Sequence, residues 1–190
     1  IAPAMGQSQP DSLGFTDRDE AKNLTINGLK EGKWIEIDNY KGDALAKIAN
    51  ADSNTQFNYT LTIYKHDVPY GITRTYSFGR FHRECPIQKE TPYVNGHING
   101  IVKFYYDHIG KVMDAITYKN DTINDEQRCY YNNGQLSSID TLKNGKMVNV
   151  QKSFWITDTI NTISTNKKNT TYYQSGKLHF IKPMTNNKQN

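Results

Sequence analysis

Apolar and polar residues alternate with a period of two through most of the chain, in short runs rich in Val, Ile, Thr, Tyr and Phe. That period places every second side chain on one face of an extended strand. The clearest unit runs from Tyr93 to Val112. A strand ends at the turn pair Asn95-Gly96, Gly100 opens a second strand through Ile101, Val102, Lys103, Phe104 and Tyr105, and Gly110 closes it. An earlier copy has Asn27-Gly28, then Gly32, Trp34, Ile35 and Ile37, and a closing Gly42. The next has Asp67 where Gly28 stands, followed by Gly71 and Gly79. Beyond the Tyr93 unit, one copy has Asn120-Asp121 with Asp125 as its second turn residue and Gly134 as its close. Another has Asn144-Gly145 with Asn149, and a half-copy spans Tyr172 to Leu178. Asp and Asn replace Gly where a positive φ is needed, because their short polar side chains tolerate it better than others do.

Turns this frequent leave no room for crossover helices, so the pattern predicts an antiparallel meander. Single hairpins are too small to fold alone and must stack on their neighbours. The expectation is an all-β protein, an elongated meander of stacked β-hairpin repeats in a single-layer sheet. Residues 1–22 read as an N-terminal arm, loose to about Asp17 and with a helical turn over Asp17 to Lys22. Residues 23–182 read as the repeat domain and 183–190 as a polar tail. The rhythm breaks at residues 43–58, 81–90 and 156–169. Within the first break, Ala44 to Ala49 is read as a strand by analogy with the other copies, and Tyr59 to Tyr64 is a strand by its β-branched content.

The repeats resemble bacterial MORN-variant repeats of the YwqK-type, antitoxin-labelled family, over roughly Asn27 to Leu178. The resemblance implies a hairpin-repeat fold and a binding role, antitoxin-like if the family label applies. It implies no chemistry.

Composition agrees with a thin sheet wetted by solvent. Only 36% of the 190 residues are hydrophobic, yet there are 13 Tyr and 7 Phe, which is not a disordered composition. The net charge of +4 comes from 23 cations interleaved with 19 acids, so nucleic acid is not expected as a partner. No apolar run approaches the roughly 20 residues of a transmembrane helix. Ile1 to Gly6 reads as the scar of a signal peptide or a cloning remnant. The first reading places the protein in the periplasm or envelope, the second in the cytoplasm. The N-x-[ST] sequons at Asn23, Asn58, Asn120 and Asn169 are coincidental in so Asn-rich a chain.

Counting along each strand from its opening turn, the third position holds Ile35, Arg74, Lys103, Arg128 and Lys152. The fifth holds Ile37, Tyr76, Tyr105, Tyr130 and Phe154. Odd positions share a face, so successive copies set a cation beside an aromatic, with about 10 Å between equivalent strands. Arg74, Tyr76, Lys103, Tyr105, Arg128, Tyr130, Lys152 and Phe154 are therefore the candidate partner-binding residues. Two roles fit them: a surface for a protein, an anionic membrane or a glycan, or cation stems covering rings on a solvated face. The even positions, with Trp34, Val102, Phe104, Tyr106, Tyr131 and Trp155, read as the packed face.

Catalytic signals are weak. His66, His82, His97, His108 and His179 have no metal-ligand spacing, and His82-x-x-Cys85 lacks the four ligands of a zinc site. No serine elbow, P-loop or dinucleotide fingerprint is present. No enzyme, metal or cofactor is expected. In the meander, Cys85 and Cys129 fall about 20 Å apart, too far for a disulfide, and Cys129 is expected among aromatic neighbours on the even face.

Overall fold

The computed structural model describes residues 13–52, 54–79, 86–155, 160–165, 168–172, 174–175 and 177–183. Its strands are β1 (Leu24–Ile26), β2 (Leu29–Ile37), β3 (Phe57–Lys65), β4 (Val68–Phe78), β5 (Ile87–Val94), β6 (His97–Ile98) and β7 (Gly100–Tyr105). There follow β8 (Val112–Lys119), β9 (Thr122–Tyr130), β10 (Leu136–Lys143), β11 (Lys146–Phe154), β12 (Ile160–Thr165), β13 (Lys168–Tyr172) and β14 (Leu178–Pro183). All pairings are antiparallel, and the order in the sheet is the order in the chain, with only the short β6 off the path. The result is an open 14-stranded meander. It divides into two compact units, Ile1–Ile98 and Asn99–Asn190.

The turns explain the meander. Asn27-Gly28, His66-Asp67, Asn95-Gly96, Asn120-Asp121 and Asn144-Gly145 all have positive φ at both central residues. That is the signature of the tight turn whose twist matches the strands it joins. Four residues beyond the second turn residue, the chain again takes positive φ at Gly32, Gly71, Gly100 and Asp125. Asp125 therefore replaces glycine in the conformation, as its position in the repeat predicts.

A second regularity is invisible in the sequence. One extra residue enters the ladder beside an aromatic near the end of β4, β7, β9, β11 and β13, at Gln88, Met113, Ser137, Asn161 and His179, whereas Ile37 of the first repeat opposes Tyr59 without a shift. These bulges lie on the following strand, so each aromatic keeps its face and meets one aliphatic across the ladder. The pairs are Tyr76–Ile87, Tyr105–Val112, Tyr130–Leu136, Phe154–Ile160 and Tyr172–Leu178. Bulges increase local twist and re-aim side chains, and here this one recurs in five ladders.

The core of the first unit differs from the expectation in two ways. Ala44–Ala49 is a helix, α1, not a strand. Asp43 caps it by accepting the Ala46 amide at 3.1 Å, and an alanine-rich run favours helix more strongly than a repeat analogy favours strand. Residues 13–17 are not a loose arm either, because Phe15 is only 4% exposed. Phe15, Ala21 and Ala44 close over Ile35, Ile37, Tyr59 and Leu61, with Leu45 and Ile48 of α1 packed alongside. A 3-10 turn at Arg18–Glu20, capped by Asp17, matches the predicted helical turn. Asn23 ties this cover to β2: its side chain accepts the Ile35 amide at 2.8 Å and donates to the Ile35 carbonyl at 2.9 Å.

In the second unit, the terminal strand β14 leaves Leu178, Phe180 and Ile181 about half exposed. Among the described residues, no helix is long and apolar enough to cross a membrane.

The cover has a testable weak point. Gly14 has φ of +69° and passes so close to β4 that an added Cβ would meet the Ile72 carbonyl oxygen at 2.1 Å. Gly28 has φ of +79° but open space around it. Gly28→Ala should cost about 1–2 kcal/mol, the left-handed penalty alone. Gly14→Ala should cost clearly more in urea unfolding, because the cover must lift. Equal losses would show that the cover contributes nothing.

Candidate partner-binding face

In an antiparallel ladder, directly opposed residues point to the same face. The register therefore settles where the candidate residues lie. In the second unit, Lys103 opposes Ala115, Ala115 opposes Arg128, Arg128 opposes Ile139, Ile139 opposes Lys152 and Lys152 opposes Ile163. The row is thus cation, apolar, cation, apolar, cation, apolar, and it continues through Thr170 to Ile181. Tyr105, Tyr130 and Phe154 lie two residues along the same strands and form the neighbouring row with Val112, Leu136 and Ile160. Cations and aromatics share the odd face, as the sequence register predicts.

Arg128 is the best defined cation of this row. Its side chain is 51% exposed, and its Nε and Nη2 donate to one oxygen of Glu126, at 2.9 and 2.5 Å. Glu126 first, then Tyr130, hold the guanidinium more firmly protonated than usual. Lys152 is also exposed, whereas Lys103, Tyr105, Tyr130 and Phe154 are half-buried.

Arg74 and Tyr76 occupy the equivalent positions in the first unit, but in a different environment. Ile35 opposes Leu61, Leu61 opposes Arg74, and Arg74 opposes Glu90. Arg74 Nε donates to Glu90 at 3.1 Å, with side chains only 12% and 16% exposed. Its Nη1 donates to the Phe15 carbonyl at 3.3 Å. Tyr76 stacks on Tyr59 with ring centroids 5.3 Å apart. Both residues belong to the covered core of that unit.

The even-face aromatics take the packing role expected of them, but the even face is not the main core of the first unit. In the first unit the core lies on the odd face, since the cover lands there. Trp34 instead joins an even-face cluster: it meets Tyr64 edge-on at 6.1 Å, and Lys30 lies over both rings and pairs with Glu36. Tyr64 donates to Glu36 at 2.8 Å, and burial, followed by that carboxylate, pushes its pKa well above the usual phenol range. In the second unit Val102 is 2% exposed. Tyr106 and Tyr131 act as equivalent struts, each hydroxyl donating to the backbone carbonyl of the next repeat's aromatic, at Tyr130 (2.7 Å) and Phe154 (2.9 Å). The even-face ladder row that starts at Phe104 is polar beyond it, running through Asp114, Cys129, Ser138, Ser153 and Thr162.

Cys129 is a free, half-buried thiol on the expected face, but its cross-strand neighbours are Asp114 and Ser138 rather than aromatic rings. Cys85 and His82 lie outside the described residues, as do Tyr173 and Gly176 of the last half-copy. Among the described residues, no group of three or more His, Cys, Asp or Glu side chains is placed to hold a metal ion. Sequence reasoning missed the Arg74–Glu90 pair and the Phe15 cover. The one available signal was an isolated Phe in a polar segment. Compared with family models, curated proteins and solved structures, the chain has no significant match.

Two outcomes follow from this geometry. Removing one member of a buried ion pair leaves the other uncompensated, so Glu90→Gln should cost about 3 kcal/mol, while Arg74→Met with Glu90→Met should recover most of it in urea unfolding. A double variant as unstable as the single would show that the charges themselves stabilise the core. For Cys129, burial and then the Asp114 carboxylate raise the thiol pKa above its ordinary 9.0. A raised folded pKa means that this contribution to stability is complete at neutral pH and is lost as pH climbs through the folded value. Asp114→Asn should move the pH profile of iodoacetamide alkylation at Cys129, read by mass spectrometry, to lower pH. An unmoved profile would exclude Asp114 as the cause.

Proposed function

We propose that this chain is a non-enzymatic repeat scaffold that binds a protein partner through the odd face of its second unit. The observation that carries the reading is the unbroken row of Lys103, Arg128 and Lys152 alternating with Ala115, Ile139 and Ile163, with the aromatic row beside it. Apolar seats between charges give both contact area and orientation, which is what a specific protein surface needs. The resemblance to MORN-variant repeats rests on the recurrent turn residues of the sequence. A toxin is the partner that the antitoxin label of that family implies. A second reading, an envelope protein on an anionic membrane surface or glycan, draws on the same cations and aromatics.

A photoreactive residue at Ile139, on the odd face, should form a discrete protein adduct in cells that one at Ser138, on the even face, does not. Lys103→Glu should weaken that adduct. Adducts of equal yield from both faces would refute the proposal. Sedimentation with anionic vesicles, reversed by salt and abolished by Lys103→Glu, would establish the second reading in its place.

A further inference from the structure

The first unit already shows how an odd face of this repeat is occupied. Its cover is a short segment, residues 13–22, with a 3-10 turn at Arg18–Glu20, carrying one aromatic anchor, three acids (Asp17, Asp19 and Glu20) and two cations (Arg18 and Lys22). Phe15 sits over Ile35 and Leu61. Glu20 pairs with Lys33, and Lys33 lies over the Phe15 ring at 5.6 Å. Arg74, the third-position cation, holds the segment's backbone at the Phe15 carbonyl. Aromatic anchor, acid to lysine and backbone to arginine are three separate recognitions on one short stretch of chain.

The second unit repeats the third-position part of that receptor, whereas the position of Lys33, which meets the acid in the first unit, holds Ile101, Glu126 and Val150, so acids there fall to the third-position cations. Lys103, Arg128 and Lys152 stand at the repeat position of Arg74, and Ala115, Ile139 and Ile163 alternate with them as Leu61 does. Among the described residues its regular elements are strands only, and Arg128 keeps a side chain 51% exposed where Arg74 has 12%. Resting on the docking role given above, we propose that the odd face of the second unit receives a short acidic segment of its protein partner with an aromatic anchor. The anchor seats among Ala115, Ile139 and Ile163, and the acids of the segment meet the cations that flank those seats. One well-packed anchor with complementary charges around it is the usual economy of peptide recognition.

A phage library of random 12-residue peptides, panned against the immobilised full chain, tests this. The expected winners place Asp or Glu on both sides of a Phe, Tyr or Trp and compete with the Ile139 photo-adduct. Their affinity should fall by about tenfold with Lys152→Glu and, as a variant that adds no acid beside Glu126, with Arg128→Gln. Circular dichroism confirms that both variants are folded. Winners that compete at Ile139 but lack acids, or whose affinity ignores both variants, would overturn the acidic class and leave the docking role standing. Failure to recover any peptide that competes at Ile139, in a library that yields binders elsewhere on the chain, would overturn the segment proposal. Loss of the Ile139 photo-adduct itself is the separate result that removes the docking role.

Discussion

A hairpin closed by two residues requires both to hold a backbone conformation that most side chains resist. In this chain the turn pairs meet that requirement with Asn, Asp, Gly and one His, and φ is positive at each. Everything downstream depends on it. The turn sets which residues oppose one another, the register sets the faces, and the faces set which side chains can act together. A slip of one residue at Asn120-Asp121 would move Arg128 to the opposite side of the sheet from Lys103. The bulges beside Tyr76, Tyr105, Tyr130, Phe154 and Tyr172 lie in the next ladder, between each aromatic strand and the strand that follows it. They absorb the extra residue on the partner strand, so the aromatic strand stays continuous and cation and ring remain together.

A thin sheet has difficulty burying apolar surface, because each face needs a second layer. The first unit solves this with its own N-terminal segment and α1, which bring Ile35 and Leu61 to full burial. The same layer converts Arg74 from a surface cation into half of a shielded ion pair. Identical repeat positions thus take different roles according to what lies above them, and position alone does not assign function.

Much of the fold was legible in the chain. Strand alternation, the turn pairs and the substitution of Asp125 for glycine follow from local sterics, and these were sufficient to fix the meander and the shared face of Arg128 and Tyr130. What was not legible depended on contacts distant in sequence. Ala44 to Ala49 misled because the repeat analogy outweighed its helix propensity, although Asp43 stood in capping position. Phe15 gave little warning, since one ring in a polar segment has no periodicity to announce it. The bulges left no trace at all: Gln88, Met113, Ser137, Asn161 and His179 share no chemistry, because their role lies in the backbone.

The struts at Tyr106 and Tyr131 reach from one repeat to the backbone of the next, about two strands or 10 Å away. Such a link makes the spacing between repeats a fixed gauge. Lengthening the protein by one hairpin pair would extend its working surface by one increment without disturbing the others. Shortening it would remove a single increment in the same way. Variation in copy number would then act on reach, while variation in side chains acts on selectivity, and the two could be adjusted independently.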